Sequence, residues 1–178
     1  MRLLQTLRDE HEVILQALDA LDTRTHGLEA GEEIPVTELQ TLVRFFRRYA
    51  DACHHAKEET VLFPALLEAG MLSEGGPIGV MLHEHGVGRE HVTAMDSHAS
   101  RVATDPEARR MFVVAAMNLS SMLRQHIHKE NNVLFRMAER MLESSRDTEL
   151  HELAERQEAE TIGDSEKEEI LAALRRLA

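Results

Sequence analysis

What most constrains this chain is a repeat. The decapeptide HHAKEETVLF at residues 54–63 returns 72 residues later as HIHKENNVLF at 126–135, keeping a histidine, a lysine, a glutamate and the triplet Val-Leu-Phe in one register. A second match, DEHEV at 9–13 against HEHGV at 83–87, shares Glu, His and Val at an offset of 74. Each half therefore carries Glu-His-x-Val and then His-x3-Glu, with His11 and His54 separated by 43 residues and His85 and His126 by 41. Apolar residues recur at three- and four-residue intervals almost throughout, glycine and proline are sparse, and no stretch alternates as a half-buried strand does. The repeated unit is predicted to be a helical hairpin, and equal spacing in two antiparallel hairpins brings each histidine pair to one level.

Breaks at 26–36, 68–79, 100–108 and 143–147 delimit four long helices. Long helices with short connections pack as antiparallel neighbours, so the predicted fold is all-α, an up-down-up-down four-helix bundle over residues 1–143. Thr37 with Gln40 reads as a capping box, and Asp105 ahead of Pro106 and Glu107 as an N-cap. Pro64 predicts a kink or an early end near residues 60–64, because it lacks a backbone donor. Residues 144–178 form an acidic extension with a helix start at Ser165 and an apolar stripe of Ile170, Leu171, Leu174 and Leu177. That extension either packs along the bundle or offers residues 165–178 to a partner protein or a second copy of the chain.

Four His-x3-Glu pairs occur, and the neighbours of each decide which face inward. One and two turns from His54 stand Phe46, Ala50, Val61 and Leu62, whereas His55 shares its face with Arg48, Asp51 and Glu59, so His54 and Glu58 are predicted to point inward. His11 (with Leu4, Leu7, Leu15, Leu18), His85 (with Ile78, Met81, Val92) and His126 (with Leu119, Met122, Val133, Leu134) also sit on apolar stripes. Glu58 and Glu130 on those faces would be buried carboxylates lacking an obvious Lys or Arg partner, at a cost of several kcal/mol. A cation at the centre removes the cost. Imidazole suits iron, zinc, copper and nickel, and carboxylates can bridge two ions. A structural zinc site would more often contain several cysteines, and Cys53 is the only one here. The donor set fits two iron ions with an oxo or hydroxo bridge from solvent and an open position for a small ligand. His91, His98, His128 and His151 read as surface residues, and Cys53 as packed.

The combined pattern of RDEHEVI, HHAKEETVLFP, HEHGVGR and HIHKENNVLF resembles the hemerythrin-like proteins of the bacterial HHE cation-binding class over residues 1–143. The resemblance implies His11, His54, His85 and His126 as terminal iron ligands and Glu58 and Glu130 as bridges. One position departs from the oxygen-carrying members, which have a further histidine one turn from the third-helix ligand. Here Met81 and Arg89 stand four residues either side of His85, leaving His55, His83 or water to fill the place.

Three functions are compatible with these readings. The first is a non-haem di-iron protein binding O2, NO or iron in sensing, storage or stress response. The second is an oxidoreductase that decomposes peroxide, reduces NO or oxidises iron at the same centre, and the third is a helical interaction module with a structural metal. The formal charge of −12 disfavours nucleic acid. No run is long and apolar enough for a membrane span, and Arg8, Asp9 and Glu10 interrupt any early signal-peptide core. The expected location is therefore cytoplasmic.

Overall fold

The computed structural model describes residues 1–72 and 75–177. Ser73 and Glu74, within the predicted break at 68–79, and Ala178, at the end of the predicted docking segment, lie outside the described residues. Six helices follow in order: α1 (Arg2–Glu29), α2 (36–68), α3 (Pro77–Ala99), α4 (106–141), α5 (Asp147–Thr161) and α6 (Gly163–Arg175), with no strand among the described residues. Helices α1 and α3 each pack against both α2 and α4, closing the predicted four-helix bundle.

The long helices are not uniformly wound. Within α2, α-helical Val36–Phe45 gives way to π-helical turns at Phe46–His55 and Glu58–Leu62 before α-helical Phe63–Glu68. In α4, Pro106–Lys129 is followed by a π-helical turn at Glu130–Leu134 and then Phe135–Met141. In both turns the N–H of the following phenylalanine, Phe63 or Phe135, bonds back five residues to the carbonyl of Glu58 or Glu130. Proline does not cause this winding, since α4 has Arg136 where α2 has Pro64. Pro64 instead falls in the first turn of the resumed α-helix, which neither ends nor breaks there, so the predicted early end is corrected. Short π-helical pieces inside α-helices recur at functional sites.

Asp105 caps α4 as expected, accepting from the N–H groups of Glu107 and Ala108 at 3.0 and 3.2 Å. Thr37 does not cap α2: the helix begins at Val36, directly after Pro35, so Thr37 already lies inside it. Similarly α6 begins at Gly163, whose φ of 66° suits glycine, two residues ahead of the predicted start.

Two apolar clusters fill the bundle. One contains Ile14, Leu18, Phe45, Phe46, Met95, Phe112, Leu119 and Leu123. The other contains Leu4, Leu7, Val61, Leu62, Phe63, Ile78, Leu134 and Phe135. A layer of buried polar side chains separates them.

The C-terminal stripe belongs to the first cluster. Ile170, Leu174 and Leu177 are buried there beside residues of α2, with Leu171 partly buried against it. Burying a leucine or isoleucine contributes roughly 1.5–3 kcal/mol. Arg48 of α2 adds a fork onto Glu166, at 3.0 and 2.8 Å, and a third bond to the carbonyl of Thr161. Of the two expectations for the extension, packing along the bundle is the one found: the stripe is covered by the chain's own helices.

Candidate metal centre

Every side chain of the polar layer comes from the core-facing stripe of a long helix. His11 stands on α1, His54 and Glu58 on α2, His85 on α3, His126 and Glu130 on α4, and all six are buried. One donor atom from each of His11, His54, Glu58 and Glu130 lies within 4.8 Å of the others, and His55, Glu58, His85 and His126 form a second such group. Glu58 belongs to both. Glu130 also reaches across, with Oε2 at 3.1 Å from Nε2 of His11 and 3.2 Å from Nε2 of His126. Oε2 of Glu58 lies 3.8 Å from Nε2 of His54 and 3.5 Å from Nε2 of His85. Each carboxylate thus faces imidazoles from both repeats.

His55 is where the structure departs most from the sequence reading. Straight α-helical geometry sets it about 100° round from His54, yet both rings are buried. The wider π-helical turn carries both into the layer, and His55 stacks on His85 with centroids 3.8 Å apart. Its repeat counterpart is Ile127, so this imidazole occurs in one half only. His83 is not brought in: two residues before His85, it lies on the exposed face of α3.

The outer nitrogen of every ring is held. Nδ1 of His54 bonds to Glu10 at 2.9 Å, that of His126 to Glu84 at 2.9 Å and that of His85 to Glu59 at 2.7 Å. His55 reaches Asp51 at 3.4 Å and His11 the amide oxygen of Asn131 at 3.0 Å. These oxygens accept, so the hydrogen sits on Nδ1 and in each neutral ring Nε2 is left as a lone pair. The supporting carboxylates are held in turn, Glu10 by Lys57, Glu84 by Lys129, and both Glu59 and Asp51 by Arg89. Sequence reasoning missed these supports, although Glu10/Glu84 and Lys57/Lys129 recur in the same repeat that revealed the histidines.

The inner atoms have no matching donors. Nε2 of His11 and His54 and all four oxygens of Glu58 and Glu130 lack hydrogen-bond partners, while Nε2 of His85 and His126 face each other at 3.2 Å. Lone pairs and carboxylate oxygens converging in a buried layer repel unless something positive lies between them.

Protons fill that role in the metal-free chain. Burial and the neighbouring Glu130 push Glu58 up to about 8. Burial opposes a charge on His85 and on His11, but Glu58 and Glu59 outweigh it and raise His85 to about 9, and Glu130 raises His11. Burial lowers His54 to about 4 and also lowers His55 and His126, keeping these imidazoles neutral near pH 7. Neutral imidazole, oriented through Nδ1 with Nε2 free, is the ligating form. The donor set fits a metal.

A cavity of about 120 Å³ between α2, α3 and α4 opens beside His55, lined by Phe46, Val92, Leu119 and Leu123, with Asp51 and Arg89 polar among them.

The hemerythrin HHE cation binding domain matches residues 2–138. The chain belongs to this family. Membership implies iron, and the buried His/Glu groups are able to hold it. Similar curated proteins include the iron-sulfur cluster repair protein YtfE of Dickeya chrysanthemi strain Ech1591, 32% identical over 117 residues, which cover 63% of this chain and 50% of the relative. The YtfE proteins of Citrobacter koseri and of Musicola paradisiaca strain Ech703 are each 37% identical over 86 residues, or 46% of this chain and 39% and 38% of theirs. The matches thus span half or less of the length of these relatives. No solved structure matches. No helix among the described residues is long and apolar enough to cross a membrane.

Proposed function

We propose that the chain is a non-haem di-iron protein that binds a small diatomic ligand, O2 or NO, or yields iron, in a stress response. The observation that carries this reading is the buried layer in which Glu58 and Glu130 each face imidazoles of both repeats with no donor to satisfy them. His11 and His54 would hold one ion and His85, His126 and His55 the other, with Glu58 and Glu130 shared. The fifth imidazole would then come from α2 in place of the missing third-helix histidine. When bound, such a pair supplies redox-active ions with an open coordination position.

The chain's own residues do the rest. The Nδ1 bonds fix the rings, the two apolar clusters exclude bulk water, and the cavity beside His55 suits a ligand of a few atoms. The similarity to the iron-sulfur cluster repair proteins YtfE supports a role in which iron is handled under stress. The covered C-terminal stripe removes the main support for an interaction module.

The test is elemental analysis and optical spectroscopy of aerobically purified protein, wild type and His54→Ala, followed by NO and peroxide titration of the reduced wild type. About two irons per chain, lost in part in the variant, with stoichiometric NO binding and no sustained peroxide consumption, is the expected result. Sustained peroxide turnover with iron intact would favour the oxidoreductase. No iron, or one zinc unaffected by the variant, would overturn the proposal.

A further inference from the structure

The two halves of the repeat support their histidines in the same way but are not covered in the same way. In the second half Lys129 holds Glu84, which holds His126, and the lysine side chain is 38% exposed. In the first half Lys57 holds Glu10, which holds His54, and the lysine side chain is 1% exposed. The difference is the C-terminal hairpin: Glu158 of α5 accepts from Lys57 at 2.5 Å and also from Lys167 of α6 at 2.5 Å. Glu158 lies beyond residues 2–138, so a residue outside the matched domain closes a buried chain of charges that ends on His54.

Glu10, Cys53 and Glu158 are close enough to suggest a third metal position. Lys57 already supplies the cation there, bonded to both carboxylates. Its ammonium is shared between them, so Glu158 sets how much of that charge falls on Glu10. With Glu158 ionised, Glu10 is the stronger acceptor for Nδ1–H of His54, and the ring is held more firmly and is more electron-rich at Nε2.

We propose that Glu158 is a positioning residue for one end of the metal centre, acting through Lys57 and Glu10 on His54, so that docking of the C-terminal hairpin governs how firmly that end holds its ion. This rests on the di-iron reading, because His54 is its endpoint.

The test uses the 178-residue chain and its Glu158→Gln variant, which keeps the side chain's shape and removes its charge. Glu84→Gln, the corresponding change around His126, is the comparison. In the iron-loaded wild type, release to a chelator sets the reference rate. Glu158→Gln is expected to release one iron per chain about tenfold or more faster and leave the other unchanged, since loss of an outer support typically costs 10–100-fold in metal affinity. Mössbauer spectra of the remaining iron would show the environment that Glu84→Gln removes. Metal-free protein supplies an independent readout: the slowly exchanging Nδ1 proton of His54, seen by 15N NMR, is expected in wild type and lost or broadened in Glu158→Gln, with helicity and melting nearly unchanged. Wild-type release kinetics and an intact His54 proton signal in Glu158→Gln would overturn the proposal. An iron-free wild type would instead defeat the di-iron reading, while the His54 proton would still decide whether the relay exists.

Discussion

Replacing Glu58 with Gln separates a metal site from an ordinary buried polar cluster, because the two predict opposite signs. In the metal-free chain the Glu58 carboxyl is fully buried, has Nε2 of His85 no nearer than 3.5 Å, and is raised from 4.5 to about 8 by burial and the neighbouring Glu130. Unfolded, it would ionise near its ordinary value. An acid raised in the folded state costs no stability below about pH 4.5, an increasing amount as pH rises, and its full amount above about pH 8. At about 1.4 kcal/mol per unit, the cost is about 3 kcal/mol at pH 7 and about 5 kcal/mol above pH 8. Gln carries no such cost, and its amide oxygen can accept from Nε2–H of the charged His85, while Glu59 still holds that ring from the other side. His85 loses in exchange the ionised partner that helps raise it, so metal-free Glu58→Gln should be more stable than wild type by about 1–3 kcal/mol at pH 8, with the gap narrowing at pH 7 and closed by pH 5. Adding ferrous iron should reverse the order, since only a protein that binds it gains stability by mass action. Urea denaturation of chelator-treated and iron-loaded protein at pH 5, 7 and 8 measures both effects. A metal-free variant less stable than wild type at pH 8 would refute the reasoning and make Glu58 a structural hydrogen-bonding group.

Three further outcomes follow from the geometry. His55→Leu, which imposes the aliphatic character of its counterpart Ile127, should leave the fold intact and about one iron per chain after dialysis; two irons with an unchanged spectrum would make His55 a packing residue. Asp105→Ala removes the acceptor for two N–H groups at the start of α4; it should cost about 1 kcal/mol and lower Tm by about 2–4 °C without altering iron content. Leu174→Ala should open a cavity in the first apolar cluster at a cost of about 2–5 kcal/mol, seen as early loss of amide protection in α6. A change of oligomeric state without that loss would return the stripe to an intermolecular role.

The fold was legible because apolar residues kept the α-helical period almost everywhere and because breaks such as 26–36 and 100–108 contain residues that end helices. The polar layer was legible through repetition: one His-x3-Glu pair means little, but two in matching registers, each with an upstream Glu-His-x-Val, place six donors at one level. What failed did so where local winding departs from 3.6 residues per turn. The choice of His54 over His55 assumed an α-helix, and the π-helical run Phe46–His55 buries both. Lys57 escaped notice for a related reason, since a lysine beside two buried carboxylates reads as surface until Glu158 is seen to cover it. The hairpin carrying Glu158 shows the limit of amphipathicity: its stripe told that a surface would be covered, but not whose.

The repeat also explains why the departures from it matter. A perfectly duplicated hairpin would give two equivalent ends of the layer, each with two imidazoles and equal support. Two substitutions and one covering contact break that equivalence: His55 stands where the other half has Ile127, Glu59 where it has Asn131, and Glu158 covers Lys57 while Lys129 stays partly exposed. His55, His85 and His126 are backed by the carboxylates Asp51, Glu59 and Glu84, whereas His11 and His54 are backed by one amide and one carboxylate. Anionic support makes an imidazole a stronger donor. The end with three rings is thus also the more electron-rich, and the end with two has fewer protein donors around whatever it holds. Two ions placed in this layer would be unlike in coordination and in potential, since one end offers three imidazoles and the other two. The duplication supplies a geometry that would suit a pair, and its few unmatched residues would make the two members of that pair inequivalent.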